Sequence, residues 1–124
     1  MKRIYIAAPW DRRHEMPAIA WQFEEAGYEI THRWWEEDTD IPAELRKCAE
    51  NDWRAVRTAD ALVVINSQPR GQETSGKAVE TGLAIAYGLP IFVVGEITNI
   101  FHYLPQVRLV ASVDEALELV EHLR

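Results

Sequence analysis

Short apolar strands alternating with amphipathic helical segments predict an α/β protein built on a parallel sheet. Three observations carry this expectation. Ala61-Leu62-Val63-Val64-Ile65 and Ile91-Phe92-Val93-Val94 are apolar at every position, as strands covered on both faces must be. Helical periodicity fills the intervals between strands. Gly27 and Gly88 stand where helices end, ahead of the next strand. Five strands in this alternation predict a flavodoxin-like, doubly wound five-stranded parallel sheet.

Arg3 to Ala8 reads as the first strand. Met16, Ile19, Ala20 and Phe23 recur at helical spacing within a helix from about Asp11 to Ala26, which Gly27 closes. A short second strand covers Tyr28 to His32. Pro42 opens the next helix, because a first-turn residue needs no amide hydrogen, and that helix runs to about Thr58. Ala61 to Ile65 is the third strand. A polar loop, Asn66 to Ser75, leads into a helix from Gly76 to Tyr87, and Pro90 introduces the fourth strand, Ile91 to Val94. A weaker strand at Arg108 to Val110 precedes a final helix, Val113 to Leu123, for which Ser112 is the expected N-cap.

At 124 residues without linker, repeat or low-complexity segment, residues 1–124 are expected to form one domain. Thirteen basic residues against 20 acidic ones give a net charge of -7, which disfavours nucleic-acid polymers and anionic membranes as partners. Cys48 is the only cysteine, so no intrachain disulfide forms; within a helix, it reads as a packing residue. The amino terminus enters a strand directly, and no hydrophobic stretch is long enough for a membrane span. A cytoplasmic protein is expected.

In open α/β sheets ligands bind at the carboxyl edge of the strands. Three loops fall there: Ala8 to Asp11, Trp34 to Pro42, and Asn66 to Ser75. Neither a G-x-x-x-x-G-K-[ST] loop nor a G-x-G-x-x-G turn is present, which argues against a P-loop NTPase or a dinucleotide dehydrogenase. His14, His32, His102 and His122 show no helical pair spacing, so no metal site is expected; no organic cofactor is expected either. Glu80 is the residue that asks for an explanation. It is a charge inside an otherwise apolar helical run, near a helix amino terminus that favours the ionised carboxylate by up to about 1 kcal/mol. Two readings stand side by side: a nucleophile in a site, or a surface glutamate paired with Lys77 three residues earlier.

Three stretches carry a resemblance. Ile4-Tyr5-Ile6-Ala7-Ala8-Pro9-Trp10, then Asn51-Asp52-Trp53 with Thr58-Ala59-Asp60-Ala61-Leu62-Val63-Val64, then Gly76 through Pro90 are similar to the nucleoside 2-deoxyribosyltransferase family, in the same order. The Glu-x-Gly-x-Ala-x-x-x-Gly-x-Pro spacing from Glu80 to Pro90 is the most specific element. The resemblance implies a flavodoxin-like fold and a small-molecule nucleoside or nucleotide substrate. It further implies transfer of a 2-deoxyribosyl group between nucleobases through a covalent ester on a glutamate, here Glu80.

The same resemblance implies the remaining site residues. Asp52 stands eight residues before Asp60, as a functional aspartate does in the family pattern, and would hydrogen-bond the base or sugar or protonate the leaving group. Tyr5 matches a position whose hydroxyl holds the catalytic glutamate, although a tyrosine in a first strand is equally a core residue. Trp10 matches a loop aromatic that stacks on the nucleobase. Of Trp34 and Trp35, one is expected in the core and the other over the pocket. Gly76, Thr74 and Ser75 would line the substrate site. Thr74 is also a departure, since transferases often carry an aspartate six residues before the glutamate and monophosphate glycosidases a serine. The first loop lacks the glycine- and serine-rich cradle of the 5′-monophosphate N-glycosidases, leaving Arg13, beside Arg12, as the phosphate ligand or as a solvated helix-start arginine. Thr98 to Pro105 is similar to a segment that enters a neighbouring protomer's site, with Asn99 at the position that contacts the sugar's 5′ oxygen. This implies a homodimer or higher homo-oligomer. Hydrolysis of a nucleoside 5′-monophosphate is the second reaction this chain fits, and a catalytically silent nucleotide-binding module is the reading from another class.

Overall fold

The computed structural model describes residues 2–66 and 75–123, with only the backbone of residue 75. Five strands, β1 (Arg3–Ala7), β2 (Glu29–Ile30), β3 (Ala61–Asn66), β4 (Ile91–Gly95) and β5 (Val107–Val110), form one sheet in the order β2-β1-β3-β4-β5. All four pairings are parallel. This is the flavodoxin-like order, whose switch in winding direction falls between β1 and β3. Four helices, α1 (Met16–Glu25), α2 (Pro42–Arg57), α3 (Ser75–Ala86) and α4 (Val113–Val120), make the connections.

Burial follows the apolar pattern. All six β3 residues are buried, as are Ile4 to Ala7 of β1 and Ile91 to Val94 of β4. Fully burying one such side chain stabilises the fold by roughly 1.5–3 kcal/mol, so the central strands dominate the core. Met16, Ile19, Ala20 and Phe23 form the buried stripe of α1. Gly27 and Gly88 adopt left-handed φ values of 95° and 73°, where a side chain would strain the backbone that closes α1 and α3. Asp60 accepts a hydrogen bond from the Arg3 amide at 2.7 Å and so fixes the turn into β3 at the edge opposite the strand ends.

The expected elements are all present, with shifted ends. The first helix enters as a 3-10 turn over Trp10–Glu15, and α-helix begins only at Met16 because Pro17, in its first turn, has no amide hydrogen to continue the ladder inward. The second strand shortens to two residues, since it lies at the sheet edge with β1 as its one partner. Ser112 caps α4 by accepting from the Glu115 amide. No helix among the described residues is long and apolar enough to cross a membrane.

Candidate active site

The winding switch between β1 and β3 leaves a crevice at their carboxyl ends, and one small cavity opens there. Ala8 and Trp10 after β1, Trp34 in the 3-10 turn Trp34–Glu36, and Gly76, Lys77 and Glu80 of α3 line its roughly 220 Å³. The Trp10 and Trp34 rings stand 6.2 Å apart, tilted by 42°. Trp34 is held by its indole N–H, which donates to the Ile6 carbonyl at 2.6 Å, and by an edge contact with Trp35. Both tryptophans of the pair are buried, so Trp34 is at once a core residue and a cavity wall.

Glu80 is partly buried at this wall, and the Tyr5 hydroxyl donates a hydrogen bond to its Oε2. Tyr5 is fully buried in β1; burial and the neighbouring Glu80 carboxylate push its pKa well above 10, which keeps the phenol a donor. Burial, helped by the Asp52 charge, likewise raises the Glu80 pKa to about 8, against the Tyr5 hydrogen bond that pulls it down. The preference of a helix amino terminus for a carboxylate is too small to offset that burial. Two sequence expectations change here. Glu80 is not held ionised by its helix end, and it is no solvated surface partner of Lys77. Lys77 is itself buried, with its ammonium donating to Asn66 Oδ1, and Asn66 donates in turn to the Glu96 carbonyl and Thr98 Oγ1. Lys77 thus ties the end of β3 to α3 and to the segment after β4.

Asp52, on α2, has its pKa raised to about 6 by burial, with His32 opposing the shift and Glu37 adding to it. The His32 Nε2 lies 3.7 Å from Asp52 Oδ1 and 2.6 Å from Glu37 Oε1, and Asn51 donates to Glu37 Oε2. Sequence reasoning missed His32 and Glu37. The one available signal was that Glu37 falls in a carboxyl-edge loop; their approach to Asp52 is set by how β2, the loop and α2 pack. Cys48, expected to be a packing residue, is only partly buried and lines a cavity together with Glu37.

The sequence profile of the nucleoside 2-deoxyribosyltransferase family matches residues 4–109. The chain belongs to that family. No curated relative matches it in sequence. Among solved structures, it is similar to a CMP N-glycosidase, BcmB, from Clostridium botulinum (19% identity over 97% of this chain and 99% of that one, TM-score 0.67). It is also similar to a 2-deoxyribosyltransferase from Bacillus psychrosaccharolyticus (18% identity, 98% and 92% covered, TM-score 0.72) and to BlsM (21% identity, 97% and 87% covered, TM-score 0.67). At these identities the likeness is one of fold. Family membership makes the chain an enzyme of deoxyribosyl transfer or N-glycoside cleavage acting on a small nucleoside or nucleotide.

Against the family pattern, the structure gathers Tyr5, Trp10, Gly76 and Glu80 and keeps Asp52 within electrostatic reach. Arg13 lies over Trp10, its guanidinium carbon 4.7 Å from the ring centre, and donates to the Trp10 carbonyl; it rides on the cavity's aromatic wall without lining the cavity itself. Arg12 is engaged by Glu15. Asn99 does not line the Glu80 cavity. It accepts from the Phe101 amide and lines a second, larger cavity of about 490 Å³ with Phe101 and the Thr81, Gly82 and Ile85 face of α3. Thr74 and the Ser75 side chain lie outside the described residues.

Proposed function

We propose that this family member, acting as a single domain, moves a 2-deoxyribosyl group between nucleobases through an ester on Glu80. The observation that carries the reading is the partly buried Glu80 carboxyl, anchored by Tyr5 in a cavity walled by two tryptophans at the winding switch. Burial makes the carboxylate costly in the free enzyme, and the positive charge that develops at C1′ in the transition state offsets that cost. Tyr5 fixes Oε2, so that the carboxyl group is held in one orientation for attack.

In the first step Glu80 bonds to C1′, the C1′–N bond breaks, and its electron pair leaves with the base. Asp52 supplies a proton or a hydrogen bond to the departing nitrogen. In the second step a nitrogen of an incoming base bonds to C1′ and gives its proton to Asp52, and the ester electrons return to the Glu80 carboxylate. Two displacements give net retention. Trp10, 41% exposed, suits stacking on either base.

Hydrolysis of a nucleoside 5′-monophosphate is the second reading, in which water takes the place of the acceptor base. Arg13 on the rim of the aromatic wall favours it, as does likeness in fold to a CMP N-glycosidase. A homodimer that brings the partner's Asn99 to each Glu80 site belongs to both readings, as does a cytoplasmic setting.

Incubation with a panel of deoxynucleosides and their 5′-monophosphates, with and without an acceptor base, separates the reactions. Exchanged nucleoside on chromatography is the expected result. Free base that forms equally without acceptor assigns hydrolysis instead. Retained affinity with no base release at high protein concentration indicates a silent binding module.

A further inference from the structure

His32, Glu37 and Asp52 each offer one ligand atom, and these atoms all lie within 4.8 Å of one another. From this juxtaposition we propose that the three residues bind a divalent transition-metal ion of the zinc class, and that the bound ion inhibits the enzyme. Inhibition rests on the reading of Asp52 given above, because an ion coordinated by that carboxylate removes it from the leaving group. Metal binding itself does not depend on that reading.

The ligand set is one imidazole and two carboxylates. Imidazole selects zinc and its neighbours over magnesium and calcium, which prefer oxygen alone. Zinc bonds of about 2.0–2.2 Å put adjacent tetrahedral ligands about 3.3 Å apart. The observed His32–Glu37 and His32–Asp52 separations, 2.6 and 3.7 Å, bracket that value, and no two of the three ligand atoms are more than 4.8 Å apart, so side-chain adjustments would seat the ion. A second observation points the same way. Asp52 Oδ1 is sealed from solvent and has no hydrogen-bond partner among the described residues, although a buried carboxylate oxygen ordinarily has one. A cation between it and His32 would satisfy it.

The surroundings supply an attractive field. A neighbouring cavity of about 420 Å³ is lined by Glu36, Glu37, Asp38 and Glu44, with Lys47 the one cation among the described lining residues. Asn51 bonds the Glu37 oxygen turned away from His32 and so orients the ligand, as partners behind metal ligands commonly do. Cys48 also lines that cavity, and a thiol can capture zinc by itself, so any test must separate the two.

Chelator-stripped protein is titrated with zinc by calorimetry, and with Co²⁺ by visible absorption, whose bands report coordination geometry. One ion per chain is expected, with four- or five-coordinate cobalt bands. His32→Gln and Asp52→Asn should each weaken zinc binding by more than about tenfold, while Cys48→Ala stays near wild type. Should His32→Gln lose its native circular dichroism, Asp52→Asn decides. No bound ion at high micromolar zinc, binding that survives in the folded ligand variants, or binding lost in Cys48→Ala would each overturn the site. These readouts need no substrate, so they hold whether or not the transferase reading does. Reversible loss of base release with zinc, restored by chelator, supports the inhibitory role; full turnover with zinc bound overturns that role.

Discussion

Tyr5 and Glu80 lie 75 positions apart in the chain and share a hydrogen bond at the winding switch of the sheet. The bond links a strand fixed in the centre of the core to the early turns of a helix, so a carboxyl group on a partly exposed element takes its orientation from a strand buried from Ile4 to Ala7. The proposed chemistry depends on that bond.

Glu80→Ala is expected to lower base release by several orders of magnitude while the far-ultraviolet circular dichroism remains native, because Glu80 is the one carboxylate among the described residues that line the cavity. A slow 2-fluoro substrate should add one sugar unit to the peptide containing Glu80 in the wild type alone. Near-normal turnover of a clean Glu80→Ala preparation would falsify the ester mechanism.

The pH dependence of kcat/KM tests the Tyr5 bond. In an Asp52→Asn background, which removes the second carboxyl titrating at about 6, only the ionised Glu80 attacks, so the residual rate should rise with pH toward about 8. Tyr5→Phe removes a hydrogen bond that lowers this pKa and should move the rise to higher pH, with a smaller plateau. An unmoved profile would mean that the phenol does not act on Glu80.

Stability should show the opposite trend. Burial raises Glu80 from 4.5 to about 8, so the native state holds this proton more tightly than the unfolded chain. Its contribution is complete below the unfolded value and is lost as pH rises through about 8. Glu80→Gln removes the titration. Its melting temperature, measured against wild type, should gain as pH climbs from mildly acidic to mildly alkaline; a constant difference across that window would contradict the buried carboxyl.

Arg13→Ala should weaken use of deoxynucleoside 5′-monophosphates by roughly tenfold or more, as loss of a charge-assisted contact does, and barely change use of deoxynucleosides. Its place on the Trp10 ring adds a control, since Trp10→Ala should impair both substrate classes through lost base stacking, worth about 1–3 kcal/mol. Equal effects of Arg13→Ala on both classes would take the arginine out of substrate recognition.

The shared site makes a prediction about mixtures. Ile100, Phe101 and Tyr103 are 76%, 57% and 75% exposed beside the apolar α3 cavity that Asn99 lines, a surface suited to burial between subunits. Glu80→Ala and Asn99→Ala proteins, each inactive alone, should regain activity when mixed. Sedimentation of the fully active enzyme as a monomer would exclude the arrangement.

Much of this protein was legible in its sequence because the signals are local. Continuous apolar strands, α1's helical stripe and the capping roles of Gly27, Gly88 and Ser112 depend on neighbours within a few residues, and all appear where expected. The ordered stretches around Tyr5, Asp52 and Glu80 likewise identified the family, whose profile spans residues 4–109. Element ends were less legible, since a two-residue β2 and the 3-10 entry to α1 depend on an edge position and on where one proline falls in the ladder.

Protonation and partnership were decided by the tertiary structure. A helix terminus favours an ionised glutamate, yet packing against Tyr5 and the core removes water and raises Glu80 to about 8. Lys77, three residues away on the chain, turns inward to Asn66, so spacing alone misstates its partner. His32, Glu37 and Asp52 have no common sequence period; they meet because a short edge strand, a loop and α2 converge at one edge of the sheet. Sequence fixes which side chains are available and what local structure each favours. Desolvation and long-range contact depend on the whole packed chain, and they determine which of those groups carries a charge and which groups meet.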